Sequence, residues 1–186
     1  MQYRRLLPAV FAAFSLLFAG NPDTPAGVRN FHIVNDHIYR GAQPTADGIR
    51  NLAKFGVRTI IDLRRGDEHS KDEETLVKQA GMHYVSVPMK GLAAPSDQQM
   101  ATILGLLDDS SGWPVFIHCR RGADRTGTVI ACYRIAHDHW PNEKALTEAK
   151  LDGMSPIERA MEHYIRLFKA PAPVSAKGPG ALPAAP

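Results

Sequence analysis

From Val115 to Ala131 the chain reads VFIHCRRGADRTGTVIA, which sets a cysteine between an apolar run and a glycine-bearing, arginine-rich turn. Five residues separate Cys119 from Arg125, and Thr126 follows directly. A turn that leads into a helix presents that helix's first, unpaired backbone N–H groups to whatever sits in the turn. Gly122 can take the positive φ that lets successive amides converge on one centre, and Arg125 offers a planar fork matching two oxygens of a phosphate. The helix N-terminus and the arginine also stabilise negative charge on a thiolate. A phosphate held there meets a nucleophile. Cys119 and Arg125 are therefore the candidate catalytic pair, and Arg120, Arg121, Gly122 and Ala123 line the candidate substrate-binding turn. For Arg120 and Arg121 two readings stand side by side: a wider positive field for a substrate with several phosphates, or a solvated basic surface.

The surrounding pattern supplies the elements that would position this turn. Two short apolar runs flank Asn35-Asp36 in FHIVNDHIYRG, which predicts a hairpin. Thr45 can cap a helix through Phe55 that stops at Gly56, and Val57 to Leu63 reads as a buried strand rich in β-branched residues. Asp72 to Ala80 follows as a helix, His83 to Val87 as a strand, and Ser96 caps a helix to about Leu107. WPVFIH is then a strand, with helices from Asp124 to His137, Pro141 to Leu151 and Pro156 to Leu167. This alternation predicts an α/β fold, a mainly parallel central sheet flanked by helices. Cys119 falls at the carboxyl end of a buried strand, where such sheets open their ligand crevice. Arg64 and Arg65 end another strand at the same edge, so one of them is a candidate to help bind an anionic substrate. Lys90, on the loop opposite, reads as a solvated lysine.

The chain has 186 residues, 44% of them hydrophobic, and a formal charge of +3. That suffices for one well-packed domain and suits an anionic substrate, but it falls short of the concentrated basic stripe of a nucleic-acid binder. No internal repeat is visible. Met1 to Arg5 carries two arginines, Leu6 to Gly20 is apolar apart from Ser15 and is interrupted by Pro8, and small polar residues follow. Residues 1–27 thus read as a secretory signal peptide with cleavage after Ala19 or Ala26, which predicts an exported, periplasmic or secreted protein without stable membrane insertion. Residues 170–186 read as a disordered Pro/Ala-rich tail, which leaves 28–169 as the folded unit. The two cysteines cannot build a disulfide framework. If a helix begins near Asp124, Cys132 lies roughly 12 Å along it, beyond the ~7 Å that a disulfide tolerates, so Cys132 reads as a core residue. His137 and His139 stand two apart, on different sides of a helix, and read as helix-end residues rather than metal ligands.

HCRRGADRTG resembles the His-Cys-x5-Arg-Thr/Ser signature of the cysteine-dependent protein tyrosine phosphatase superfamily, and YRGAQP with GVRTIIDLR is most similar to small dual-specificity phosphatases. The resemblance covers Tyr39 to Leu167. It implies a dual-specificity phosphatase-like catalytic domain in which Cys119 forms a cysteinyl-phosphate, Arg125 grips the phosphoryl oxygens, His118 orders the loop through hydrogen bonds and Thr126 steadies the thiolate as it leaves. It implies no cofactor and no metal. The implied substrates are phosphoprotein, at Tyr or Ser/Thr, or a phosphoinositide or inositol phosphate.

The resemblance fails at the general acid. Most such phosphatases carry an aspartate on a separate loop about thirty residues before the cysteine, and here VPMKGLAAPSD has none between Val87 and Pro95. Two candidates stay open. Asp124 lies inside the loop, and DRTG resembles myotubularin-like and bacterial lipid-phosphatase-like loops in which such an aspartate is the proposed acid; its alternative role is an ion pair with a nearby arginine. Asp97 arrives late, at a helix start, where it reads as a first-turn carboxylate beside the Ser96 cap. Two functions of other kinds also remain, a rhodanese-like sulfurtransferase and a non-catalytic phosphate-binding module.

Overall fold

Five segments form one sheet because none can pair its backbone polar groups alone. The computed structural model describes residues 24–66 and 68–170. In chain order the elements are β1 (His32–Ile33), β2 (Ile38–Ala42), α1 (Ala46–Lys54), β3 (Thr59–Asp62), α2 (Glu68–Gln79) and β4 (His83–Ser86). They continue with α3 (Asp97–Asp108), β5 (Val115–Cys119), α4 (Asp124–Ala136), α5 (Asn142–Leu151) and α6 (Arg159–Leu167). The strand order is β1-β2-β5-β3-β4, and every pairing is parallel except the β1–β2 hairpin. This is the mainly parallel α/β architecture that the alternation predicts.

β5 sits at the centre, between β2 and β3, and all its residues are buried. Alternation of side chains along the strands divides the core in two. Ile60 and Phe116 pack with Ile49, Leu52 and Val77 from α1 and α2, whereas Ile61 and Ile117 pack with Ile103, Leu107 and Val129 from α3 and α4. α4 is buried along most of its length, because α5 and α6 cover its outer side through Leu146, Ala149 and Ile165. Cys132 lies fully buried in this core, where burial pushes its thiol pKa up, and both cysteines are free thiols.

Three boundaries differ from the sequence expectations. The strand expected over Val57 to Leu63 pairs only from Thr59 to Asp62, because the β4 partner runs only from His83 to Ser86. α2 starts at Glu68, a turn before the expected Asp72. α6 starts at Arg159 and not at Pro156; ahead of it the Ser155 N–H bonds the Asp124 carboxylate at 2.9 Å and the Glu158 N–H bonds the Ser155 carbonyl at 3.0 Å in a turn.

The expected signal peptide, 1–27, lies outside the described residues up to 23, as does the expected tail from 171 onward. The few residues between 24 and 27 already belong to the fold: the Ala26 carbonyl accepts from Asn51 Nδ2 at 2.9 Å and the Gly27 carbonyl from the Thr45 N–H at 3.0 Å. Among the described residues, no helix is long and apolar enough to cross a membrane.

Candidate active site

Cys119 is the last residue of the central strand, and the turn that follows runs without interruption into α4. Ala123 occupies the N-cap of α4 and makes no side-chain cap, so the first amides of the helix face the turn uncapped by any side chain. Gly122 has φ +71°, and a Cβ there would stand 2.2 Å from the Gly41 carbonyl carbon. Only glycine fits, because the turn lies directly against the backbone of β2. Arg125 donates from Nη1 to the Leu63 carbonyl at 3.3 Å, across the mouth of the β3 edge. Thr126 is fully buried and its hydroxyl has no hydrogen-bond partner. Cys119, Gly122, Ala123, Arg125 and Thr126 are thus gathered in one loop.

Beneath the loop lies a layer of buried charge. Arg40, on β2, is 1% exposed and donates to the Gly122 carbonyl at 2.6 Å and to Asp152 Oδ2 at 2.7 Å. Burial lowers its pKa, and the negative Asp152 is the largest influence in the opposite direction. Arg40 therefore clamps the loop backbone to the segment after α5. The sequence reading passed over it, although an arginine within the apolar pattern of a strand is the signal that could have singled it out.

On the other side of β5, His118 is fully buried and stacks on Phe116 with centroids 5.6 Å apart. Its Nε2 lies 2.7 Å from Glu73 Oε1, without hydrogen-bond alignment, and 3.9 Å from Asp62 Oδ1. Arg64 donates to both oxygens of Asp62 and, at 2.8 Å, to Glu73 Oε2. Tyr84 adds a 2.7 Å bond to Asp62. Burial acts to raise the Asp62 pKa, but the bonds from Arg64 and Tyr84 and the nearby His118 outweigh it and hold the carboxyl down to about 2. This corrects the expectation for Arg64: it is 5% exposed and committed to two carboxylates, so it braces the loop from below and is not available to substrate. Arg65 is exposed, as is Lys90.

The aspartates are placed apart. Asp124 is nearly buried; its Oδ2 accepts from Arg121 Nη2 at 2.5 Å and its Oδ1 from the Ser155 N–H at 2.9 Å. Arg121 is thereby half tied down, whereas Arg120 is exposed with its carbonyl near the Gln43 N–H, 3.4 Å. Asp97 begins α3 beside the Ser96 cap, and its Oδ1 accepts from Tyr164 Oη at 3.0 Å, facing a cavity of about 550 Å³ between α3 and α6. His137 ends α4 and contacts Asp108, with Nε2 to Oδ1 at 3.1 Å.

Residues 29–166 match the family described as a DSP-PTPase phosphatase fused to NAD+ kinase. The chain belongs to this phosphatase family. It is 28% identical over 177 residues to the dual specificity protein phosphatase TpbA of Pseudomonas aeruginosa, an alignment covering 88% of this chain and 79% of the relative. The crystal structure of a TpbA variant in complex with pTyr superposes with a TM-score of 0.64 at 26% identity, over 74% of this chain and 83% of that one. The core catalytic domain of the PP-IP phosphatase SIW14 from S. cerevisiae superposes with a TM-score of 0.68 at 25% identity, over 76% and 86%. Membership in this family makes the chain a phosphoric monoester hydrolase and sets aside the sulfurtransferase alternative.

Proposed function

We propose that the chain hydrolyses phosphate monoesters through a cysteinyl-phosphate on Cys119. The observation that carries this is the loop itself: a strand-end cysteine that leads, through a turn only Gly122 fits, into a helix start that no side chain caps, with Arg125 in its first turn. In the first step the Cys119 thiolate attacks phosphorus, the S–P bond forms and the P–O bond to the leaving group breaks. Water then attacks phosphorus, the S–P bond breaks and inorganic phosphate departs. Arg125 and the α4 amides hold the three equatorial oxygens as charge spreads over them, and the Thr126 hydroxyl, which has no other partner, steadies the departing thiolate. His118 orders the loop from below. Asp124 ties Arg121 to the Ser155 N–H, accepting from the first at Oδ2 and from the second at Oδ1.

The substrate the site supports best is a phosphotyrosine-bearing protein. Leu92, on the loop after β4, and Ile157, two residues past the Ser155 whose N–H bonds Asp124, are 64% and 70% exposed. An apolar rim matches an aromatic ring, and the Arg121–Asp124 pair reduces the positive field that an inositol polyphosphate would need. The inositol phosphate reading is supported by the likeness to SIW14 and by the exposed Arg120. The same proposal places the mature protein outside the cytoplasm. Its support is the composition of Met1 to Gly20 alone; the Ala26 and Gly27 carbonyls that hold α1 favour cleavage after Ala19 over cleavage after Ala26.

The purified protein should hydrolyse aryl phosphates without added metal and be inhibited by vanadate. Cys119→Ser should abolish turnover yet retain phosphate binding, and Arg125→Lys should lose most of both, since one ammonium cannot replace a bidentate fork. Near-normal rates in either variant would refute these roles.

A further inference from the structure

Three successive carbonyls of the phosphate loop are held from behind. The Arg120 carbonyl accepts from the Gln43 N–H at 3.4 Å, the Arg121 carbonyl from Asn30 Nδ2 at 3.4 Å, and the Gly122 carbonyl from Arg40 Nη2 at 2.6 Å. These peptides are trans, so the N–H of each plane points opposite to its carbonyl. Pinning the three carbonyls therefore turns the N–H groups of Arg121, Gly122 and Ala123 away from those anchors. Two of the three donors are side chains, and both of them also hold Asp152, the C-cap residue of α5. Arg40 donates to Asp152 Oδ2 at 2.7 Å, and Asn30 Nδ2 donates to the Asp152 carbonyl at 3.1 Å. Asn30 takes φ +52°, which asparagine tolerates better than most residues, and its Oδ1 meets His32 Nε2 at 3.0 Å. Both ends of its amide are engaged, so Nδ2 has one direction, towards the two carbonyls.

We propose that Asn30 is a positioning residue of this phosphatase, which sets the direction of the Gly122 N–H by holding the Arg121 carbonyl from outside the loop. The proposal rests on the cysteinyl-phosphate reading above, in which the loop amides receive the equatorial oxygens of the phosphoryl group. Gly122, at φ +71°, is the bend that makes consecutive amides converge, and a glycine leaves the planes on either side of it free to turn. Arg40 fixes the plane between Gly122 and Ala123, and Asn30 fixes the plane between Arg121 and Gly122. Released from Asn30, that second plane rotates and carries the Gly122 N–H off the phosphoryl oxygens. The cost falls on rate more than on fold, because Asn30 is half-buried and its bonds to two carbonyls exchange for bonds to water. Asn30 touches no substrate atom; it acts through the loop backbone, 91 positions along the chain.

Asn30→Gly tests this, because glycine accepts the positive φ and removes the side chain alone. On p-nitrophenyl phosphate its kcat/KM should fall about 10–100-fold. The inhibition constant for vanadate should rise by the same factor, because vanadate takes the five-coordinate shape of the transferring phosphoryl group, and that for inorganic phosphate should rise less. A purely structural role would lower the unfolding temperature and leave the vanadate affinity of the folded protein at its wild-type value. Asn30→Asp gives a second readout that stands even where the glycine variant folds poorly: an ionised carboxyl cannot donate to the Arg121 carbonyl, and a protonated one can. The ratio of its kcat/KM to that of wild type should therefore recover as pH falls and the introduced carboxyl takes up its proton, while the ratio for Asn30→Gly stays flat. Wild-type kcat/KM in Asn30→Gly, a fall in kcat/KM with vanadate affinity unchanged, or a ratio for Asn30→Asp that does not move with pH would each overturn the role of Asn30 and leave the cysteinyl-phosphate intact. Wild-type protein that forms no cysteinyl-phosphate at all would overturn the phosphatase reading and this proposal together.

Discussion

The floor and the rim of the phosphate loop are built by opposite means. The floor is a lattice of buried polar groups: Arg40 with Asp152 and the Gly122 carbonyl on one side, and Arg64 with Asp62 and Glu73 on the other, the His118 ring lying against Glu73. Each guanidinium there has two or more anionic or carbonyl partners, so each position is fixed by several others. The rim has the reverse character: Leu92 and Ile157 are exposed and Arg120 is solvated. A buried ion pair contributes little net stability compared with an apolar pair, yet breaking it is costly. The floor therefore specifies one loop geometry, and the rim is left free to meet a substrate. Changes below the loop should act on fold and rate together, while changes above it should act on selectivity alone.

The largest effect that comparison predicts is at Arg40. Arg40→Met preserves most of the side-chain volume but leaves Asp152 without its buried partner and the Gly122 carbonyl without its donor. Removing one partner of a buried pair costs about 3–5 kcal/mol, and Asp152 is partly solvated, so the lower end of that range is expected. Denaturant unfolding should show that loss. Turnover of aryl phosphates should fall at least about tenfold even where the variant is folded, because a displaced Gly122 misdirects the amides that receive the phosphate. A variant of wild-type stability and rate would mean that the floor does not specify the loop.

The second effect is a matter of pH. With its carboxyl held down to about 2 from an ordinary 3.8, Asp62 is ionised in the folded protein where it would already be taking up protons in the unfolded chain. Its contribution to stability is fully present above about pH 4 and is lost as pH falls through about 2. The amount is roughly 2 kcal/mol. Thermal unfolding followed between pH 5 and 2 should show a steep decline that flattens in Asp62→Asn; parallel curves for the two proteins would contradict it.

How far the sequence announced this site follows from how its parts are spaced along the chain. Cys119, Gly122, Arg125 and Thr126 lie within one turn, so a local pattern reveals them, and strand–helix alternation suffices to place that turn at the sheet's central edge. The floor is non-local: Arg40 meets Gly122 across 82 positions and Asp152 across 112. No single-sequence spacing records such a pair. Arg64 illustrates the cost, since its position at a strand end suggested a free cation, and only the fold brings Asp62 and Glu73 against it. The start of α6 was hidden for a different reason. Pro156 is a good helix start, but the Ser155 N–H is bonded to Asp124 and α6 begins only at Arg159.

The smallest effect is expected at the rim, and it sharpens the comparison most. Leu92 and Ile157 are largely exposed at 64% and 70%, so Leu92→Asn and Ile157→Asn should each change stability by less than about 1 kcal/mol. On substrate the position differs. If the two side chains pack against the ring of phosphotyrosine, each covers apolar area at about 25 cal/mol per Å², and partial coverage corresponds to a KM change of roughly 3–10-fold for a phosphotyrosine peptide. The same variants should leave the rates on an inositol polyphosphate unchanged, because that substrate has no apolar face to present. Steady-state kinetics on both substrates therefore separates the two classes. A loss on phosphotyrosine alone supports an aromatic-reading rim. Equal KM values across wild type and both variants for the peptide would remove the apolar rim from substrate recognition and move the choice of substrate to Arg120 and its positive field.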